Sequence, residues 1–245
     1  MSLQKLFSFI LFSLLGLSLS AQVTQGVITY EVRIDAHRMI PEDRPEMKTM
    51  IPQFRTDNYH LFFTSTESLY KTVEEVMPPG SGAGRGGGMR MMMRGPRAET
   101  YINRELRERI VARDLLGKNY LIVDTLGIEP WKFGNEQMEI AGYMCMMAWY
   151  TDTVNKQEIT AWFTPHLPPF MGPDKFTTLP GTVLAVDINN GEQVWVARQI
   201  EERQLTTSEL RKPSRGEKLS SQEFEKLLEE QRQRMNNASG PVRVF

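Results

Sequence analysis

The sequence predicts a mainly β fold, a single curled antiparallel sheet or partly open barrel with a long Gly/Met/Arg-rich loop and a C-terminal amphipathic helix. Three observations predict it. Apolar and polar residues alternate with period two over many short segments. Gly and Asn punctuate those segments at hairpin positions. Only one stretch, near the C-terminus, has helical periodicity.

The elements follow in order. In Gly26 to Ala36, Val27, Thr29, Glu31 and Arg33 face one way, and Ile28, Tyr30, Val32 and Ile34 the other. Tyr59 to Lys71, rich in aromatic residues and Thr, reads as one further strand. Arg107 to Leu115 and Asn119 to Leu126 form a hairpin across Leu116-Gly117-Lys118, where Gly supplies the turn. Tyr143 to Thr151, Glu158 to Pro165, Thr182 to Ile188 and Gln193 to Gln204 complete the set. Asn189-Asn190-Gly191 joins the last two, since Asn and Gly tolerate φ > 0. Residues 142–165 are expected as adjacent antiparallel strands at the centre of the sheet, connected by Asp152 to Lys156. Ser220-Ser221-Gln222-Glu223 is a capping box opening a helix with a narrow apolar stripe of Phe224, Leu227 and Leu228.

The ends bound the compartment. Lys5, the apolar run Leu6 to Leu19 and the small residues Ser20-Ala21 before Gln22 read as a cleavable secretory signal over residues 1–21. No segment is long and apolar enough for a transmembrane anchor, which needs roughly 20 residues. The expected division is a signal peptide at 1–21, a β-rich domain at 22–205, and a linker with helix and tail at 206–245. Without Lys5 the chain keeps 28 basic and 30 acidic residues, a net charge of −2 that argues against nucleic acid as a partner. Cys145 is the single cysteine, so a disulfide within the chain is ruled out and burial is expected.

A set of motifs then occurs in fixed order: Trp131, Ala141-Gly142-Tyr143-Met144-Cys145, Ala161-Trp162-Phe163-Thr164-Pro165, Gly172-Pro173 and Leu179-Pro180-Gly181. This resembles the GLPGLI family of exported Bacteroidetes-type proteins, which has no assigned activity. The naming motif is partly kept, as Thr178-Leu179-Pro180-Gly181-Thr182-Val183. The resemblance implies export and a β-rich body more than any chemistry. The motif residues themselves read as structural: Pro-Gly and Gly-Pro make turns, and Trp162 and Phe163 point to opposite faces of one strand, so that only one must enter the core. The strand around Cys145 is apolar on both faces and should be covered on both, by the main core on one and by a loop or the terminal helix on the other.

Signals for catalysis are poor. Gly82 to Gly87 spells a dinucleotide fingerprint, yet no helix-forming segment follows. Ser68-Leu69-Tyr70-Lys71 spells S-x-x-K within a strand, where Ser68 and Lys71 point apart. His37, His60 and His166 are scattered, without metal-ligand spacing. The reading is a non-enzymatic envelope binding protein with no expected cofactor, its partner an envelope protein or an apolar ligand held within the curled sheet. An undetected enzyme is a further alternative. Residues 78–97 hold seven Gly, three Pro and four Arg without an acidic residue, the composition of a mobile loop. Within it, Arg85, Arg90, Arg94 and Arg97 suit an acidic-apolar partner surface. Met89, Met91, Met92 and Met93 offer soft thioethers, and so an alternative reading as a Cu(I) or Ag(I) site. Thr125 and Thr153 stand in Asp-Thr-apolar tripeptides that resemble the O-glycosylation acceptor of exported Bacteroidetes-type proteins.

Overall fold

Alternating strands and tight turns assemble into one twelve-stranded mixed sheet, seen in a computed structural model that describes residues 24–40, 42–43, 45–73 and 98–238, the side chains of 235–238 excepted. The strands are β1 (Gly26–Asp35), β2 (Phe54–Phe63), β3 (Glu67–Thr72), β4 (Ala98–Asn103), β5 (Glu108–Leu115), β6 (Lys118–Thr125), β7 (Lys132–Ile140), β8 (Tyr143–Asp152), β9 (Gln157–Thr164), β10 (Thr182–Ile188), β11 (Gln193–Glu202) and β12 (Glu217–Leu219). A short α1 (Met47–Met50) follows β1, and α2 (Ser221–Ala238) ends the described chain. The spatial order is β12-β6-β5-β4-β3-β2-β1-β11-β10-β9-β8-β7. Two meanders therefore share one sheet, joined where β1 pairs with β11. The sheet is not closed.

The sheet corrects several expectations. Tyr59 to Lys71 is two strands, because the Thr64 hydroxyl accepts from the N–H groups of Thr66 and Glu67 and folds a turn without Gly or Pro. β8 and β9 are adjacent and antiparallel, yet they lie beside the terminal strand β7, away from the sheet's centre. The core and lid bury one side of this pair, but Met144 and Trp149 of β8 stay exposed and Trp162 of β9 is only half-buried. The expected cover on both faces of the Cys145 strand is therefore not met; a sequence pattern cannot tell partial cover near an edge from central position. β4 and β7 had no sequence signal: β4 is short, and β7 is an edge strand whose residues, except the last, are half-buried or exposed. β12 pairs parallel with β6, so the sheet is mixed and the expected linker carries a strand.

The main core lies on the face carrying the cross-strand row Ala161, Val186, Trp195 and Val32. The connection 165–181 folds over this face as a lid, with Leu167, Met171 and Leu179 fully buried and Phe176 edge-on to Trp195. Backbone hydrogen bonds Phe170 N–H to Leu179 O and Val183 N–H to Met171 O hold the lid in register. Each such side chain contributes about 1.5–3 kcal/mol by leaving water. The Tyr30 hydroxyl, buried beneath, donates to the Val183 carbonyl at 2.5 Å.

At the far end of the sheet the capping box closes as expected, with Ser220 N–H donating to the Glu223 carboxylate and Glu223 N–H to Ser220 Oγ. Phe224 packs edge-on against Tyr120, and Leu227 and Leu228 join the same cluster. The helix thus covers β6, not β8.

Candidate functional site

The opposite face of β9–β11 is apolar as well. Direct pairing places Trp162, Ala185 and Val196 side by side in one row across β9, β10 and β11. Among the described residues, no loop covers this face. The β7–β8 hairpin folds back across it instead: β7 touches β11, four strands away in sheet order. The fold-back begins at a two-residue turn, where Ala141 (φ 50°) and Gly142 (φ 84°) both adopt left-handed backbone. Two successive positive φ values are what a type I′ turn needs, and Gly142 adopts its angle without steric cost. Tyr143 then reaches over to β11, its hydroxyl donating to the Glu202 carboxylate at 2.9 Å. Burial and that carboxylate push the Tyr143 phenol up to about 12.

Between hairpin and sheet lies a groove of about 480 Å³. Met138, Ile140, Trp162, Ala185, Val194 and Val196 form its apolar walls. Trp162 is half-buried there, while its neighbour Phe163 is only 1% exposed on the lid side. Glu139, Asp187 and Arg198 supply the polar groups. Arg198 is held 2.6 Å from Glu31, and Asp187 accepts the N–H of Gly191. The lining thus mixes apolar walls with nearly as much polar surface, a concave arrangement that can hold an apolar side chain beside a charged one. Of its residues, only Trp162 stood out in the sequence. Val194 and Val196 flank Trp195, so β11 is apolar on both faces, and that was the available signal.

The remaining motif residues gather around the lid. Trp131 stands just before β7, its indole N–H donating to Thr178 Oγ1 at 2.8 Å and its ring edge-on to Tyr150. Gly172 and Pro173 are buried in the lid, Leu179 is fully buried, and Pro165 and Pro180 are exposed. At Gly181 a Cβ would stand 2.3 Å from the Thr164 carbonyl oxygen, so a side chain is excluded where lid meets strand. Cys145 is buried, its Sγ 3.4 Å from the Tyr143 carbonyl, and burial pushes the thiol up to about 11. A thiol so shielded is not a nucleophile at neutral pH.

The other sequence candidates among the described residues do not converge on the groove. His37 contacts the Ile51 carbonyl, His60 stacks edge-on with Phe62, and His166 contacts Thr164. Among the described residues, no three His, Cys, Asp or Glu side chains converge as a metal site. Thr125, at the end of β6, and Thr153, in the β8–β9 turn, are both exposed. Residues 1–21, Arg85, Arg90, Arg94, Arg97 and Met89, Met91, Met92, Met93 lie outside the described residues.

A family model described as "Protein of unknown function (Porph_ging)" matches residues 151–185, a span that runs from the end of β8 through the lid and includes Trp162 and Ala185. No curated protein matches the chain. Among solved structures the chain is similar to PNGF-II in its C2 and P21 crystal forms, with TM-scores of 0.56 and 0.57 and 16% identity over 83% of this chain. It spans about a third of the length of PNGF-II, 32% and 33% in the two forms. An uncharacterized conserved protein from Thermus thermophilus is similar at TM-score 0.40 and 11% identity, over 81% of this chain and 91% of that one. The PNGF-II likeness describes the fold alone. No helix among the described residues is long and apolar enough to cross a membrane.

Proposed function

We propose that this chain is an exported, non-enzymatic binding protein of the GLPGLI type, whose groove between the β7–β8 hairpin and β9–β11 takes an apolar group from its partner. The observation that carries the reading is the row Trp162–Ala185–Val196. An aromatic and two aliphatic residues share a sheet face, yet the hairpin leaves beside them about 480 Å³ of open space. A face meant only for stability would be covered, because apolar surface beside an open groove stays in contact with water. The ordered motifs from Trp131 to Gly181, together with the family match over 151–185, support the GLPGLI assignment. The apolar run after Lys5 supports export.

Nile red, a neutral apolar dye, tests the groove. Saturable binding with enhanced fluorescence is expected from the wild-type chain, and its loss in Val196→Arg, which places a charge on the groove wall. Equal dye binding by both proteins would refute the site. Export is tested separately by the intact mass of the native protein, expected to begin at Gln22.

A further inference from the structure

The groove runs beside a strand edge that no described residue pairs with. β7 ends the sheet, with β8 on its other side. In a two-residue hairpin the residues flanking the turn form a hydrogen-bonded pair, and pairs alternate from there. Ile140↔Tyr143 and Met138↔Cys145 are therefore hydrogen-bonded pairs, while Glu139↔Met144 and Gln137↔Met146 are not. The backbone N–H and C=O of Gln137 and Glu139 consequently point away from β8, toward the free edge. Met138 and Ile140 share a face with Cys145 and Tyr143 and line the groove. Such an unpaired edge is a template for another strand.

Charge narrows what would add there. Residues 129–140 carry Glu129, Glu136 and Glu139 against Lys132 alone. Lys132 sits over the Trp149 ring at the far end of the strand. Within the groove, Glu139 and Asp187 stand against Arg198, which Glu31 already neutralises. Edge and groove together present hydrogen-bonding backbone, apolar wall and net negative charge.

Resting on the binding reading above, we infer that the partner is an extended polypeptide of alternating apolar and basic residues, which adds as a strand to β7 at Gln137 and Glu139 and sets an apolar side chain against Trp162 and Val196. Its backbone supplies affinity through the edge, its apolar residues fill the groove, and its basic residues meet Glu136 and Glu139.

The test uses the full chain and a fluorescein-labelled seven-residue peptide of alternating Lys and Val, followed by anisotropy. Saturable binding is expected, weakened at least about tenfold when Glu replaces Lys in the peptide. Methylating the peptide's alternate backbone nitrogens should also cost at least about tenfold, or about 1.4 kcal/mol, because it removes the edge hydrogen bonds and leaves the side chains. Glu139→Pro should do the same from the protein side, since it deletes an outward N–H without breaking a β7–β8 bond. The methylated peptide tests the edge even if this variant misfolds. Methylated and parent peptides binding within twofold of one another would overturn strand addition. If Nile red still distinguishes wild type from Val196→Arg in that case, the groove survives and only its ligand class is wrong. If dye and peptide both fail to bind, both readings fall. A chain that pairs with its own copy through β7 and takes no peptide also overturns the assignment to a foreign strand.

Discussion

Replacing Leu179 by Ala probes whether the lid is an integral part of the core. Leu179 is fully buried, and its backbone carbonyl accepts from Phe170 across the lid. The change removes three carbons, or about 2.4 kcal/mol of transfer free energy at about 0.8 per methylene. If the closely hydrogen-bonded lid cannot collapse, a cavity of about 60 Å³ adds about 1.4 kcal/mol. The expected loss is thus about 3–4 kcal/mol, a large part of the roughly 5–15 available to a protein. For a chain of this size the melting temperature should fall by about 6–16 °C. Urea unfolding followed by far-ultraviolet circular dichroism measures it, with an unchanged slope showing that the same surface unfolds. Leu116→Ala, at a turn position 77% exposed, should shift stability by less than about 0.5 kcal/mol. A Leu179→Ala loss below about 1 kcal/mol would refute the reasoning, because the lid would then be a loosely attached loop.

Three further outcomes are expected. Gly181→Ala should cost about 2–3 kcal/mol in urea unfolding by driving a Cβ onto the Thr164 carbonyl, while Gly127→Ala, with open space around it, should be neutral. Cys145 should resist iodoacetamide at pH 8 in the native chain and react readily in denaturant, read by mass spectrometry, since burial holds the thiol near 11. Burial alone would raise the Asp124 carboxyl, but hydrogen bonds from Ser221 at the start of α2 and the Arg109 guanidinium outweigh it and hold it below its usual range. A carboxyl depressed in the folded state stabilises it above the unfolded value, near 3.9, and loses that contribution as pH falls through the folded one. The stability gap between wild type and Asp124→Asn should therefore be present at pH 6 and shrink progressively below about pH 4. An Asp124→Asn gap independent of pH would show that the carboxylate does not pin the helix.

The sequence by itself determined the elements whose causes are local. Period-two alternation set most strands, as in Gly26 to Asp35. Left-handed Asn189, Asn190 and Gly191 set the β10–β11 turn, and the reciprocal Ser220–Glu223 bonds set the start of α2. The division of Trp162 from Phe163 also followed from period two, because neighbours on a strand face opposite ways, and the burial of the lone Cys145 followed from the usual place of an unpaired cysteine. Only the tertiary structure decided what covers each face. The lid packs on one side of β9–β11 and the β7–β8 hairpin on the other, so an edge region acquired the composition of a sheet centre. β7 was invisible because an edge strand buries almost nothing, and period two appears only where one face is removed from water. The groove was invisible for a related reason: it joins residues of β7, β9, β10 and β11 through the curl of the sheet, and that curl is a property of the assembled strands.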